Sequence, residues 1–367
     1  MLHALLPVVP VPQVTLPIGI SFFTFQGLSY VIDVYRGDAA VQRDPLKLAL
    51  YIAFFPQLVA GPIVRYTTVA EEIDERHESV SEFSAGAVRF LFGLGKKMLL
   101  ANAVARIADA AFAAVMPSVL FAWLGAVAYT FQIYFDFSAY SDMAIGLGRM
   151  FGFHFLENFN YPYVARSVTE FWRRWHISLS TWFRDYVYIP LGGNRCSRTR
   201  NVWNLFVVWF LTGMWHGASW NFIAWGLWFF VLLVGEKFLW GKALERLPSL
   251  VRHAYAMVLV VFSWVLFRAE TLTAAAAYFA AMFGSSGVWC GSRVVYYALE
   301  FWPELLCCCI AALPVKQWLE TALQKRDAAP ARAVLTWGPK LAAMALLACS
   351  YCKLVTGSFN PFIYFRF

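Results

Sequence analysis

One segment of the chain indicates a membrane environment by itself: NVWNLFVVWFLTGMWHGASWNFIAWGLWFFVLLVG (Asn201–Gly235) contains no Asp, Glu, Lys or Arg. As a single helix it would be about 52 Å long, because each helical residue adds ~1.5 Å. The hydrocarbon core of a bilayer is only about 30 Å thick. The segment is therefore predicted to break or turn, and its one cluster of small residues, Gly213–Ser219, places the break beside His216.

The composition of the rest of the chain agrees with a membrane protein. Of the 367 residues, 60% are apolar and 14% are charged, whereas about a quarter of a soluble domain is charged. Further apolar runs, among them Leu16–Ile32, Leu48–Val64 and Ser118–Phe135, predict additional spans. We expect an all-α polytopic membrane protein with about seven to nine transmembrane helices plus interfacial amphipathic helices.

The chain shows no internal repeat and no low-complexity linker, so residues 1–367 are predicted to form a single membrane domain. Met1–Thr15 has neither a basic n-region nor a small-residue cleavage site, which argues against a signal peptide.

The charged residues and cysteines exclude other classes of protein. The formal net charge is +8, and the basic residues lie in short loops beside apolar runs, as the positive-inside rule describes for cytoplasmic loops. We therefore expect a lipid bilayer and no nucleic acid as partner. The seven Cys residues lack paired spacing, and Cys307–Cys309 lies in an apolar stretch, so we expect small buried side chains rather than disulfides or zinc ligands.

Tyr161–Arg200 differs from its surroundings because it mixes charged side chains with aromatic rings. Such mixing is typical of amphipathic helices at the membrane interface, with the rings in the headgroup layer. Seven Arg against two acidic residues predict that this interfacial segment lies on the cytoplasmic side.

His216 is the most informative candidate for chemistry. An imidazole titrates near neutral pH, and an ionisable group inside a membrane is costly unless it has a partner or a function. Irregular backbone at membrane depth is tolerated only where it is buried in protein or lines a watery cavity. The alternative is a neutral histidine that is hydrogen-bonded between helices, and the pattern alone does not separate the two.

His176 is the second candidate, and it follows Arg173 and Arg174 closely. Two nearby cations disfavour a protonated imidazole, which would leave His176 able to accept a proton. The arginines could bind phosphate groups or a carboxylate through paired hydrogen bonds. The alternative, favoured by the pattern alone, is an interfacial helix whose arginines reach toward anionic lipid.

Other polar residues in apolar surroundings have simpler interpretations. Asp136 and Asp142 follow a full apolar span, so they need cationic partners, and Arg149, Arg173 and Arg174 are candidates. Asn158 and Asn160, before Tyr161-Pro162, are typical of turns. The two histidines lack the i, i+4 spacing of a helical zinc site, so no metal is expected. Motifs for nucleotide hydrolysis and for soluble hydrolases are missing from the sequence.

At these residues the chain resembles the membrane-bound O-acyltransferase (MBOAT) superfamily, in the bacterial branch of alginate O-acetyltransferase membrane subunits and the D-alanyl transfer protein of teichoic acids. WRRWHISLSTWFRDY (Trp172–Tyr186) and TGMWHGASW (Thr212–Trp220) are together highly specific. The ending of the chain is more similar to the alginate-type proteins. The other matching stretches are PIGISFFTFQGLSYVIDVYRG (Pro17–Gly37), FFPQLVAGPIVRY (Phe54–Tyr66), FDFSAYSDMAIGLGRMFGF (Phe135–Phe153), the remainder of Asn158–Arg195, and FNPFIYFRF (Phe359–Phe367).

The resemblance implies a helical fold around a central funnel or tunnel, where an acyl donor from the cytoplasm meets an acceptor from the other side. The essential membrane histidine of the superfamily matches His216, and the second histidine of the bacterial branch matches His176. The resemblance also implies a multi-pass protein of the bacterial inner membrane and a periplasmic or extracytoplasmic acetyltransferase partner. Longer relatives carry additional membrane helices before Pro17, which this chain is expected to lack.

Our leading hypothesis is O-acetyl transfer from a cytoplasmic thioester to a hydroxyl acceptor for polysaccharide O-acetylation, with His216 as general base. His176 would position or polarise the thioester, and Arg173 and Arg174 would hold donor phosphates. No bound cofactor is expected, and acetyl-CoA or an acyl carrier protein would supply the acyl group. The alternatives are a D-alanyl transfer subunit, a transporter or flippase with an intramembrane His/Asp proton relay, and a scaffold for a soluble enzyme.

Overall fold

The computed structural model describes residues 19–217, 219–325, 329–357 and 361–362. Over these residues the chain forms helices and turns and no strand, which confirms the all-α prediction. Met1–Thr15, the first two residues of the Pro17–Gly37 motif and most of the Phe359–Phe367 ending lie outside the described residues.

The first part of the described chain contains six α-helices. Helices α4 and α5 are joined by a π-helical turn, Lys96–Ala101. At several helix starts a side-chain oxygen accepts a backbone N–H that has no partner within the helix. Ser79, for example, accepts the backbone N–H of Glu82. The six helices are α1 (Ile20–Arg36), α2 (Pro45–Ala53), α3 (Tyr66–Asp74), α4 (Val80–Gly95), α5 (Asn102–Phe112) and α6 (Val119–Met150).

The remaining described chain contains eleven α-helices with short 3-10 and π-helical turns between some of them. These helices are α7 (Val168–Arg174), α8 (Ile177–Phe183), α9 (Arg198–Trp215), α10 (Trp220–Gly235), α11 (Gly241–Glu245), α12 (Ser249–Arg268), α13 (Leu272–Met282), α14 (Ser292–Glu300), α15 (Trp302–Ala311), α16 (Val315–Gln324) and α17 (Ala329–Thr356).

Four helical segments in the described part of the chain are long and apolar enough to cross a membrane: Val119–Met150, Trp220–Glu245, Ser249–Arg268 and Ala329–Thr356. A fifth exists if α14 and α15, which are bent by 64° at their junction, form one span. These segments agree with a multi-pass membrane protein, but the expected count of seven to nine is not confirmed. Helix α6 is central, since 72% of its apolar window is buried, whereas only 11% of that of α17 is buried.

The predicted break in the apolar segment is confirmed. Helix α9 ends at Trp215 and α10 begins at Trp220. A Cβ atom added at Gly213 would lie 2.6 Å from the carbonyl oxygen of Phe222, and one added at Gly226 would lie 2.4 Å from that of Trp209. Because these contacts pair later residues of one helix with earlier residues of the other, α9 and α10 form a closely packed antiparallel hairpin.

The larger aromatic rings of Tyr161–Arg200 lie in the protein interior rather than on its outer surface. Helices α7 and α8 are short; α7 packs against α10 and α12 inside the protein, and α8 packs against α7. Their rings fill the core, whereas most of the arginines of the segment are exposed. The charged and aromatic residues are therefore separated between the surface and the interior. The buried rings are those of Tyr163, Phe171, Trp172, Trp175, Trp182, Phe183 and Tyr186.

The carboxylates of α6 have other partners than those expected. Asp142 binds Arg89 at 2.8 Å and Lys96 at 2.6 Å, and Asp136 forms an ion pair with Lys97. These cations belong to α4 and the π-helical turn after it, which pack along α6. Of the three expected partners, Arg149 pairs with Glu82 and Arg174 with Glu170, while Arg173 is exposed.

All seven cysteines are free, but the expectation of burial holds for Cys308 and not for its neighbours. Cys307 and Cys309 are exposed on α15, because consecutive helical residues point in different directions.

Candidate active site

A single buried cavity contains both candidate histidines. His176 and His216 line it together, and its volume of about 10 Å³ has room for about one water molecule. The two histidines come from separate helix junctions, so the fold brings them together. Apart from them the walls are apolar or aromatic, which excludes bulk water from any reaction there. The other lining residues are Ile133, Trp172, Trp175, Leu179, Trp225, Trp264 and Phe267.

His216 occupies the break between α9 and α10, at the C-terminal cap of α9. Its ring is enclosed by the rings of Trp215, Trp225 and Phe267, whose centroids lie 4.6, 4.9 and 5.0 Å away. The residue is 9% exposed, and its ring faces aromatic side chains rather than an acid. Such surroundings favour an uncharged imidazole that retains a lone pair for accepting a proton.

His176 lies between α7 and α8 with a left-handed backbone, φ 44° and ψ 56°. A non-glycine residue in this region needs support from its surroundings. Here the carbonyl oxygen of Asn158 accepts the backbone N–H of Ile177 at 2.9 Å, and the N–H of Asn160 binds the carbonyl oxygen of Arg174 at 2.9 Å. The irregular segment before α7 therefore holds the turn that carries His176.

The side chain of His176 is almost completely buried, with 1% exposed. Nδ1 lies 3.1 Å from Oδ1 of Asn158. Nε2 is buried without a hydrogen-bond partner among the described residues. The ring of Trp215 neighbours both histidines, 6.4 Å from the His176 ring and 4.6 Å from the His216 ring.

The two predicted donor-binding arginines have different environments, and neither lines the cavity. Arg174 binds Glu170 at 2.9 Å and the carbonyl oxygen of Asn160 at 3.1 Å, so its guanidinium supports the turn before His176. Arg173 is exposed at the end of α7, where it can meet a ligand from solution. Among the described residues no group of three or more His, Cys, Asp or Glu side chains could hold a metal ion.

Two polar residues that support the segment carrying His176 were not identified as such from the sequence. Asn158 was interpreted as a turn residue, yet it contacts His176 directly. Glu236 accepts the backbone N–H groups of Val168 and Thr169 at the start of α7. An acid after a long charge-free run was the available signal for Glu236, since such a carboxylate needs donors.

Comparison with known proteins identifies the family of this chain. The profile of MBOAT, the membrane-bound O-acyltransferase family, matches residues 39–275, which include both histidines. "Probable alginate O-acetylase AlgI" of Azotobacter vinelandii is 42% identical over 97% of this chain and 77% of its own length.

More distant relatives have related names. "Peptidoglycan O-acetyltransferase" of Helicobacter pylori is 36% identical over 74% of this chain and 58% of its own length. "Teichoic acid D-alanyltransferase" of Bacillus subtilis is 28% identical over 68% of this chain and 67% of its own length. With the family profile covering more than half of the chain and the alginate-type relative covering nearly all of it, the chain belongs to the membrane-bound O-acyltransferase family.

Proposed function

We propose that the chain is a membrane O-acetyltransferase that moves an acetyl group from a cytoplasmic thioester to a hydroxyl acceptor for extracytoplasmic polysaccharide O-acetylation. The cavity shared by His176 and His216 is the observation that carries the proposal. Acetyl transfer is favoured over D-alanyl transfer because the alginate-type relative is 42% identical and the D-alanyltransferase is 28% identical.

In the proposed reaction His216 is the general base. A hydroxyl is a weak nucleophile, and removal of its proton by a positioned imidazole contributes about 10²- to 10⁴-fold. The hydroxyl oxygen attacks the thioester carbonyl, the C–S bond breaks, and the leaving thiolate takes the proton from the His216 imidazolium. The ester and the free thiol are the products. The aromatic walls limit hydrolysis of the thioester by water.

The donor and its carrier belong to the same proposal. His176 positions the reacting substrate beside His216, and exposed Arg173 contacts donor phosphates through charge-assisted hydrogen bonds. Arg174, which supports the turn, would contribute to donor binding only indirectly. The donor is acetyl-CoA or an acyl carrier protein, and an extracytoplasmic acetyltransferase is the partner of the chain. We also propose that the protein lies in the bacterial inner membrane and that its helices surround a central funnel or tunnel. Further helices would bring the number of spans to seven to nine.

The test is acetyl transfer by purified protein in nanodiscs, supplied with labelled thioester donor and oligosaccharide acceptor. His216→Ala is expected to lose transfer at normal expression and folding. His77→Ala, at an exposed histidine, is the matched control and should keep it. Transfer by wild-type protein separates a catalyst from a scaffold or transporter. Full transfer by His216→Ala would remove the proposed base.

A further inference from the structure

We infer that Asn158 is a positioning residue that fixes the tautomer of His176, with the proton on Nδ1 and the lone pair on Nε2. His176 then offers a hydrogen-bond acceptor to the cavity that it shares with His216. The inference rests on the proposed function only in identifying that cavity as the place of acyl transfer. The structural statement about the tautomer depends on the hydrogen bonds alone.

The neighbours of the Asn158 side-chain amide fix its orientation. Its Oδ1 lies 3.2 Å from the backbone N of Ser178 and 2.9 Å from the Ser178 Oγ. A backbone N–H can only donate, so the atom facing it must be the oxygen. The Ser178 hydroxyl is itself oriented, because it accepts the backbone N–H of Ile63 at 3.0 Å and so directs its own proton to Asn158. Reversal of the amide would bring two donors together.

The orientation of this amide decides which nitrogen of the His176 imidazole carries the proton. Since Oδ1 of Asn158 is an acceptor, the ring nitrogen 3.1 Å from it must donate, which places the proton on Nδ1 of His176. A neutral imidazole has one N–H, so Nε2 carries the lone pair. This nitrogen is buried without a partner among the described residues, although a buried acceptor normally has one. The missing donor is therefore expected to come from a molecule in the cavity.

Asn158 supports the backbone of this segment as well as the His176 ring. Asn158 is fully buried, with 0% exposed, and its backbone carbonyl oxygen accepts the N–H of Ile177 while its side chain holds the His176 ring. One residue thus supports both the left-handed backbone and the ring. This double contact is more than a turn requires, and it makes Asn158 the determinant of where Nε2 points.

The consequence is a division of roles between the two histidines. In this tautomer His176 cannot donate a hydrogen bond to a thioester carbonyl, so it does not polarise that group. It accepts a hydrogen bond from the substrates, either from the acceptor hydroxyl or from an amide N–H of the donor's pantetheine arm. His216 is enclosed by aromatic rings, has no such fixed partner in the described part of the chain, and remains the proposed base.

The experiment uses two substitutions and a control in the full chain. Asn158→Asp keeps an acceptor oxygen beside Nδ1, whereas Asn158→Leu has similar volume and no hydrogen bond. Asn204→Leu is the matched control, because Asn204 is also 0% exposed but lies on α9, about three turns before His216. Ring-¹⁵N-labelled histidine, observed by NMR in nanodiscs, reports which nitrogen carries the proton. His176→Ala identifies the signal among the six histidines.

The wild-type His176 signal is expected to show a protonated Nδ1 and an unprotonated Nε2. Asn158→Asp should keep this signature and much of the transfer activity. Asn158→Leu should lose the fixed tautomer and about 10- to 100-fold of activity, the size of the loss when a group that orients a metal-binding histidine is removed. Asn204→Leu should change neither the His176 signal nor the activity at equal folding.

A proton on Nε2 in the wild-type protein would overturn the inference. So would an Asn158→Leu variant that keeps both the wild-type tautomer and full activity. Failure of the proposed function looks different: full acetyl transfer by His216→Ala would reject the base, while the His176 tautomer, read by NMR without substrate, would be unaffected.

Discussion

The carboxylate of Glu236 accepts a 2.7 Å hydrogen bond from the backbone N–H of Val168. It also accepts the N–H and hydroxyl of Thr169, at 2.8 and 2.6 Å. The acid at the end of α10 therefore caps α7. Helix α10 starts just after His216, and α7 ends just before His176. The contact therefore joins the two helices that flank the histidines.

Removal of the Glu236 carboxylate is expected to destabilise the protein and lower its activity. Glu236→Ala leaves two buried N–H groups at the start of α7 without acceptors, and each such group costs about 1–3 kcal/mol. Glu236→Gln keeps one carbonyl oxygen and should be milder. The free energy of unfolding in detergent measures the stability of both variants.

Glu245→Ala, at an exposed glutamate of the same candidate span, is the control and should stay within about 0.5 kcal/mol of wild type. Equal stability of Glu236→Ala and Glu245→Ala would show that the cap is not needed.

The hairpin of α9 and α10 predicts a strong effect of one added methyl group. In Gly226→Ala the new Cβ would lie 2.4 Å from the carbonyl oxygen of Trp209, so the helices must separate. We expect a loss of about 1–3 kcal/mol, as for other overpacked sites, and reduced transfer because His216 lies at the end of this hairpin. Thermal unfolding and activity should be measured together.

The control for that substitution is Gly27→Ala. Gly27 lies within α1, and nothing approaches within 4 Å of an added Cβ there. Alanine is the better helix former by about 1 kcal/mol, so this variant should be as stable as wild type or more so. If Gly226→Ala behaved in the same way, close packing of α9 and α10 would not be what positions His216.

The carboxyl group of Glu170 predicts a pH dependence of stability. Burial opposes its ionisation, but the backbone N–H of Arg166 and the guanidinium of Arg174 outweigh that effect, so its pKa is below the ordinary value of 4.5. A lowered pKa in the folded protein stabilises it above the unfolded value, and this stabilisation is lost as the pH falls through the folded value. The stability difference between wild type and Glu170→Gln should be constant from pH 7 to about pH 5 and shrink below about pH 4.5. Thermal unfolding across this range measures it. A difference that grew on acidification would contradict the assignment.

Some of these features follow from the sequence because simple geometry decides them. The break beside His216 was predictable, since a helix of that length does not fit a bilayer. The partners of Asp136 and the role of Asn158 were not, because they depend on which segments become neighbours. Asn158 meets His176 and Ser178 only after the chain folds back on itself. Composition shows that Tyr161–Arg200 mixes charged and aromatic residues, which is typical of the interface. It does not show which of these residues face inward, so the burial of the rings of α7 and α8 was not predictable.

The buried pair of Lys97 and Asp136 predicts opposite outcomes for single and double substitutions. The two residues are 5% and 2% exposed, and Lys97 also donates to the carbonyl oxygen of Pro361 at 3.2 Å. Lys97→Met or Asp136→Leu alone leaves a buried charge without its main counter-ion and should cost about 3–5 kcal/mol. The double variant removes both charges and should recover most of that loss, because replacement of a whole buried pair by apolar side chains is often neutral. Unfolding free energies of the four proteins form a double-mutant cycle.

Lys96→Met is the control, since its partner Asp142 keeps Arg89, and its cost should be smaller. A double variant as unstable as the sum of the two single variants would show that the pair is not coupled, and that each side chain stabilises the bundle through its other neighbours.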